Sequence, residues 1–174
     1  LIEACKRCKY WNDFGHPEYK VNVNLSVIQL LQNDIIDTIK NALTETEVQP
    51  SNLTLEVTEG LAINDMKRMQ EVLGGIKKLG GRVALDDFGT GYSSLNHIRS
   101  MPIDVIKIDK CFVEDVGEDV FSEAFVKSVS QLADVLHMHV CVEGVEDKNQ
   151  CDALKDMNVD LIQGYLFDKP LSVD

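Results

Sequence analysis

Asn24, Glu56, Asp86, Asp87, Lys107 and Glu143 are polar or charged residues that close short apolar segments of the chain. The Asn24 amide oxygen and the Glu56, Asp86 and Asp87 carboxylates are hard oxygen donors of the kind that hold Mg²⁺ or Mn²⁺. Lys107 and Glu143 are the remaining candidates for proton transfer. Adjacent Asp86 and Asp87 allow one carboxylate to face a centre while its neighbour reaches a second ion. Two metals roughly 3.5–4 Å apart are the usual device for in-line displacement at a phosphodiester. Alone, each of these residues reads as a turn former or as half of an ion pair. Six of them gathered at the ends of five successive strands read as a site.

The elements that position them follow from periodicity. Residues 1–14 predict an amphipathic helix. Val21–Ser26 predicts a strand, and a helix from about Val27 to Thr46 follows. Leu53–Thr58 is the second strand. The next helix, capped by Asn64 or Asp65, stops at Gly80-Gly81. Gly74-Gly75 within it weaken it, with no local reason. Arg82–Asp86 is the third strand, and a short helix then runs up to Pro102. Asp104–Ile108 is the fourth strand, and a helix covers about Phe121–Leu136. His139–Glu143 is the fifth strand, a helix covers roughly 147–157, and Asp160–Gln163 is the sixth strand.

Strands separated by helices predict a parallel sheet. An open sheet gathers its ligand residues at one switch point. Here Asn24, Glu56, Asp86, Lys107, Glu143 and Gln163 end all the strands, which suits a barrel with one mouth. At about 31 residues per βα unit, six units take about 186 residues, near the 174 present. The expected fold is therefore α/β, a TIM-type (β/α)8 barrel with about six of its eight units. The chain starts in a helix at Leu1, so it is expected to be part of a longer product.

Composition narrows the function class. With 44% hydrophobic and 26% charged residues, the chain has ordinary globular usage, which excludes disorder, collagen and coiled coil. No apolar run nears the roughly 18 residues of a membrane span. A formal charge of −12 argues against a nucleic-acid-binding face. Metal ions between carboxylates and phosphates still admit an anionic substrate. The five cysteines predict reduced thiols and a cytosolic setting. Cys5 and Cys8 share a helical stripe with Leu1, Ala4 and Trp11, which favours core packing over redox or zinc chemistry.

Asp86-Asp87-Phe88-Gly89-Thr90-Gly91-Tyr92-Ser93-Ser94-Leu95 resembles the signature loop of EAL domains, the cyclic-di-GMP phosphodiesterases. Asn24-Leu25-Ser26, Glu56-Val57-Thr58-Glu59, Lys107-Ile108-Asp109, Glu143-Gly144-Val145-Glu146 and Gln163-Gly164-Tyr165 follow in the order of that family. The resemblance spans essentially the whole chain. It implies that Asn24, Glu56 and Asp86 bind a first Mg²⁺ or Mn²⁺, and that Asp86 and Asp87 bind a second. Lys107 and Glu143 would orient and deprotonate the attacking water. Glu59 would brace the Asp87–Leu95 loop, which in that family helps form a homodimer contact. Glu146 and Gln163 would lie behind these groups or touch the substrate. The implied reaction is hydrolysis of cyclic-di-GMP to linear pGpG.

The chain departs from the family in one respect: it contains no Glu-Ala-Leu segment. In the family that Glu is a first-metal ligand and precedes every motif found here. Residues 1–174 are thus expected to be a partial EAL domain without its N-terminal strands, inactive by itself. The alternative is an EAL module that only binds cyclic-di-GMP or a protein partner. The implied setting is bacterial, cytoplasmic second-messenger signalling. The parent would carry a sensor or GGDEF domain, with any membrane anchor in another domain.

Other features carry less. Gly89-Thr90-Gly91 reads as a tight turn rather than a nucleotide fingerprint. His137 and His139 read as one face of a solvated strand, with no acidic partner beside them. His16 and His97 read as loop and helix-surface residues. Glu114-Asp115 to Glu118-Asp119 reads as a solvated approach to a helix.

Overall fold

The computed structural model describes residues 1–59, 66–91 and 95–171. Helices and strands alternate: α1 (Ile2–Asp13), β1 (Val21–Asn24), α2 (Val27–Leu30), α3 (Ile35–Thr46), β2 (Leu53–Thr58), α4 (Met66–Lys78) and β3 (Arg82–Phe88). Then come α5 (Leu95–Ser100), β4 (Val105–Ile108), α6 (Val120–Leu136), β5 (His139–Val142), α7 (Lys148–Leu154) and β6 (Leu161–Ile162). The strands follow chain order, β1-β2-β3-β4-β5-β6. The β1–β2, β4–β5 and β5–β6 pairings are parallel. A doubly wound sheet reverses its order at a switch point. This order never reverses, so the α/β topology is of the (β/α)8 barrel type. The proposed cap residues Asn64 and Asp65 lie outside the described residues, as do Tyr92, Ser93 and Ser94 of the signature loop. No helix among the described residues is long and apolar enough to cross a membrane.

The chain forms two compact units, Leu1–Leu85 with Tyr92–Asp104, and Asp86–Gly91 with Val105–Asp174. In the first unit β1 pairs with β2 so that Asn24 stands opposite Glu56. The residues of β2 from Leu53 to Val57 are all buried, as expected for a parallel strand covered on both faces. Ile35, Ile39, Ala42 and Leu43 form the buried stripe of α3, and Met69, Val72, Leu73 and Ile76 that of α4. Each of these side chains larger than Ala42 contributes about 1.5–3 kcal/mol by leaving water. Exposed pairs such as Lys9 with Asp13 contribute at most about 1 kcal/mol.

The single helix expected over 27–46 is two. It breaks at Leu31–Asp34, and α3 restarts directly after Asp34. Asn and Asp give the backbone local hydrogen-bonding alternatives to the helix, which favours an interruption at Asn33-Asp34. Gly75 has a tertiary explanation. A Cβ there would lie 2.7 Å from Ile36 Cδ1, so glycine is what lets α4 approach α3. Cys5 and Cys8 are fully buried free thiols, and burial pushes both pKa values up.

In the second unit β4 is wholly buried, with Ile106 and Ile108 at 0% exposure and paired with the buried Val140 and Val142 of β5. Asp119 caps α6 by accepting the Ser122 N–H at 2.9 Å, so the acidic approach ends in a helix cap. His137 is not on a strand face. It takes the left-handed conformation, φ +57, that terminates α6, and only His139 enters β5. Asp147 and Gln150 form a capping box on α7. The Gln150 amide also donates to the Glu114 carbonyl at 3.1 Å.

Candidate functional site

Lys107 is the centre of the second unit's polar cluster. Its position in β4 leaves the side chain 4% exposed. The ammonium donates to Asp86 Oδ1 at 2.8 Å and to Glu143 Oε1 at 2.7 Å. Those carboxylates are 13% and 18% exposed, so both remain reachable from solvent. Asp87 joins them: one oxygen each from Asp86, Asp87 and Glu143 lies within 4.8 Å of the others. Among these four side chains, three carboxylates face one ammonium. That surplus of negative charge, presented by hard oxygen atoms, suits a divalent cation.

The backbone explains how neighbours in sequence converge. The strand β3 continues through Asp86 and Asp87 to Phe88, two residues beyond the expected end. Successive side chains of a regular strand point to opposite faces. Asp87 breaks the alternation with φ +55, a left-handed value that Asp tolerates better than most residues. Its carbonyl accepts from Thr90 N at 3.3 Å and from Thr90 Oγ1 at 2.8 Å, closing the tight turn expected at Gly89-Thr90-Gly91.

Glu143 follows β5 immediately. Its N–H donates to the Ile108 carbonyl at 3.1 Å, which ties it to the end of β4. Gly144, at φ +74, sits where a side chain would collide with Lys110. A Cβ on Gly164 would meet the Val145 backbone, its carbonyl carbon at 2.6 Å. Val145 N donates to the Gln163 carbonyl at 3.1 Å, and Gln163 N to that of Val142 at 2.8 Å. The Glu143–Val145 segment is thus held from both sides. A cavity of about 260 Å³ opens beside it, lined by Asp109, Lys110, Glu143, Glu146, Gln163 and Tyr165 among others.

The first unit places Asn24 at the exposed end of β1 and Glu56 within β2, 6% exposed. Glu59 follows β2 and is 3% exposed. Glu56 Oε1 accepts from Asn22 Nδ2 at 2.8 Å. Sequence reasoning passed over Asn22, although it lies two residues from Asn24 and so shares its strand face. Asp109, read from the sequence only as part of the Lys107-Ile108-Asp109 motif and given no role there, follows β4 and caps the next turn. It accepts the Cys111 N–H at 2.9 Å. Burial would raise the Asp109 pKa, but hydrogen bonds from Cys111 and the Lys110 charge outweigh it and hold the carboxyl low. The Cys111 thiol is pushed up to about 11 by burial and by the neighbouring Asp109.

The family model described as EAL domain matches residues 1–170. The bifunctional diguanylate cyclase/cyclic di-GMP phosphodiesterase MucR of Pseudomonas aeruginosa is 34% identical over 174 residues, which are all of this chain and 25% of that protein. A structure of the MucR phosphodiesterase in complex with c-di-GMP superposes with a TM-score of 0.94 at 34% identity, covering 99% of this chain and 70% of that one. A manganese/cy-diGMP complex of Klebsiella pneumoniae BlrP1 has a TM-score of 0.86 at 27% identity, covering 97% and 44%. The chain spans about a fifth to a quarter of the length of the curated relatives it matches.

Proposed function

Because this chain belongs to the EAL domain family, we propose that, within a complete EAL barrel, it serves the hydrolysis of cyclic-di-GMP to linear pGpG with the help of Mg²⁺ or Mn²⁺. The observation that carries this reading is the Asp86–Lys107–Glu143 ion-pair chain with an Asp87 oxygen in the same cluster. Asp86 and Asp87 would hold two metal ions, and Asn24 and Glu56 would have the ligand roles that the family resemblance gives them. When bound, the ions supply charge neutralisation at the phosphate and a more acidic water.

The chain's own groups do the rest. The Lys107 ammonium fixes the direction of the Asp86 and Glu143 carboxylates. Glu143 accepts the proton of the attacking water. The water oxygen bonds to phosphorus as one P–O ester bond breaks, and the released ribose oxygen takes up a proton. Glu146 and Gln163, on the cavity wall beside Glu143, orient the substrate. Glu59 keeps its loop-bracing role. On the same reading, residues 1–174 are part of an EAL barrel in a cytoplasmic signalling protein that carries a sensor or GGDEF domain. A second copy pairs through the Asp87–Leu95 loop.

The test is chromatographic detection of pGpG from cyclic-di-GMP by residues 1–174 joined to an upstream EAL segment that completes the barrel. Release is expected with Mg²⁺ or Mn²⁺ and is absent with chelator or with Ca²⁺, whose larger and looser coordination fits poorly. Glu143→Gln is expected to lower turnover by about 10²-fold or more. Cyclic-di-GMP binding without pGpG under every metal would assign the chain to the binding-only class instead.

A further inference from the structure

Two residues beyond Asp87 the backbone is gripped by aromatic rings. Gly89 has φ +100, and a Cβ built on it would lie 2.5 Å from Phe112 Cε2 and 2.7 Å from Phe125 Cζ. The rings therefore press directly on the main chain. Phe112 and Phe125 stack on each other, centroids 3.9 Å apart and planes 15° apart. Phe88, 7% exposed, lies alongside Phe125 with centroids 6.4 Å apart. Phe112 ends a turn of 3-10 helix that starts after Asp109, two residues past Lys107, and Phe125 projects from α6.

Asp87 directly precedes this gripped segment, and its left-handed backbone is the feature that turns its carboxylate toward Asp86 and Glu143. A left-handed non-glycine residue persists only where its surroundings over-determine it. Resting on the metal reading above, we propose that Phe112 and Phe125 are positioning residues for Asp87. The stacked pair pins Phe88 and Gly89, and so holds the Asp87 carboxylate in the metal-binding cluster. Neither ring touches a reacting atom. Removing either would free the Phe88–Gly89 backbone and let Asp87 relax toward ordinary strand geometry, with its carboxylate turned away.

The experiment measures Mn²⁺ binding by calorimetry without substrate, with thermal unfolding alongside. Phe125→Leu and Phe112→Leu should weaken Mn²⁺ binding by about 10- to 100-fold, the usual cost of losing a group that orients a ligand. Phe121→Ala removes a 66% exposed member of the same aromatic group that is not among the atoms crowding Gly89. It should leave Mn²⁺ affinity unchanged even if the unfolding temperature falls. Wild-type affinity in both Leu variants would overturn the proposal, as would an equal loss in Phe121→Ala. If a Leu variant does not fold, Phe125→Met decides by the same criterion. Asp86→Asn separates the two ideas. If it too binds Mn²⁺ like wild type, the metal reading fails; if it loses the ion while the Leu variants keep it, only the positioning role fails.

Discussion

Asp86 and Asp87 are consecutive residues of β3, yet carboxylate oxygens of both lie within 4.8 Å of each other and of Glu143. Regular pleating would send them to opposite faces. The φ of +55 at Asp87 cancels that alternation. The site is therefore bought with backbone strain at one residue, of about 1–2 kcal/mol.

That strain can be measured. Asp87→Ala and Asp87→Gly both delete the carboxylate, but only glycine adopts the left-handed backbone freely. The Gly variant should be the more stable of the two by about 1 kcal/mol in urea denaturation. Both should bind Mn²⁺ more weakly than wild type. Equal stability of the two variants would mean that the backbone at 87 relaxes at no cost.

Lys107 has a structural role as the shared partner of Asp86 and Glu143 and, on the proposed reading, a chemical one. As a salt-bridge lysine it offsets the repulsion between Asp86 and Glu143; as part of the site it competes with any cation for the same oxygens. Lys107→Met keeps much of the volume and removes the charge. Without divalent ions the variant should melt below wild type, because two partly buried carboxylates lose the ammonium they share. Its Mg²⁺ affinity should rise about tenfold or more, since a neighbouring positive charge is gone. Turnover should fall by about 10²-fold. Weaker Mg²⁺ binding in this variant would show that Lys107 supports the ions rather than competing with them.

What was legible in the sequence was whatever depends on local pattern. Leu53–Thr58 matches its expected strand residue for residue, and Asp86, Lys107 and Glu143 meet as their strand-end positions suggested. What was not legible depends on partners distant in the chain. Gly75 looked like a helix fault until Ile36 was found against it. His139 looked partnerless, but Asp160, 21 residues on, lies 3.1 Å away. The extension of β3 through Asp87 needs a left-handed residue, which no periodicity announces. The 27–46 segment has helical spacing throughout, so the break at Leu31–Asp34 is hidden beneath a continuous pattern.

Gly164 tests how closely Glu143 is held. A methyl group there collides with the backbone of Val145, which cannot swing aside as a side chain would. Gly164→Ala should destabilise the fold by about 1–3 kcal/mol, the usual cost of overpacking. The displacement reaches Glu143 through two peptide units, so turnover should fall more than cyclic-di-GMP affinity. Unchanged stability and turnover would show that β6 and the Glu143–Val145 segment shift together.

Asp160 gives a pH dependence far from the chemistry. Its Oδ2 accepts the Val140 N–H at 2.7 Å, and its own N–H returns to the Val140 carbonyl at 3.1 Å. Burial would raise its pKa, but the Val140 hydrogen bond and the His139 side chain outweigh that and lower it from the ordinary Asp value of 3.8. Between the lowered folded value and the ordinary unfolded one, the unfolded chain binds the proton and the folded chain does not. Stability therefore rises with pH across that window. The contribution is fully present above the unfolded value, near pH 4, and is lost as the pH drops through the folded value. Asp104 does not enter this difference; it makes the same kind of bond in the first unit, its Oδ2 accepting Val83 N–H at 2.8 Å, and is present in both proteins. In urea titrations, wild type should exceed Asp160→Asn at pH 6 to 7, and the gap should close as the pH falls below 4. A gap that stays constant down to pH 3 would mean that the Asn amide fails as an acceptor and that the charge contributes nothing.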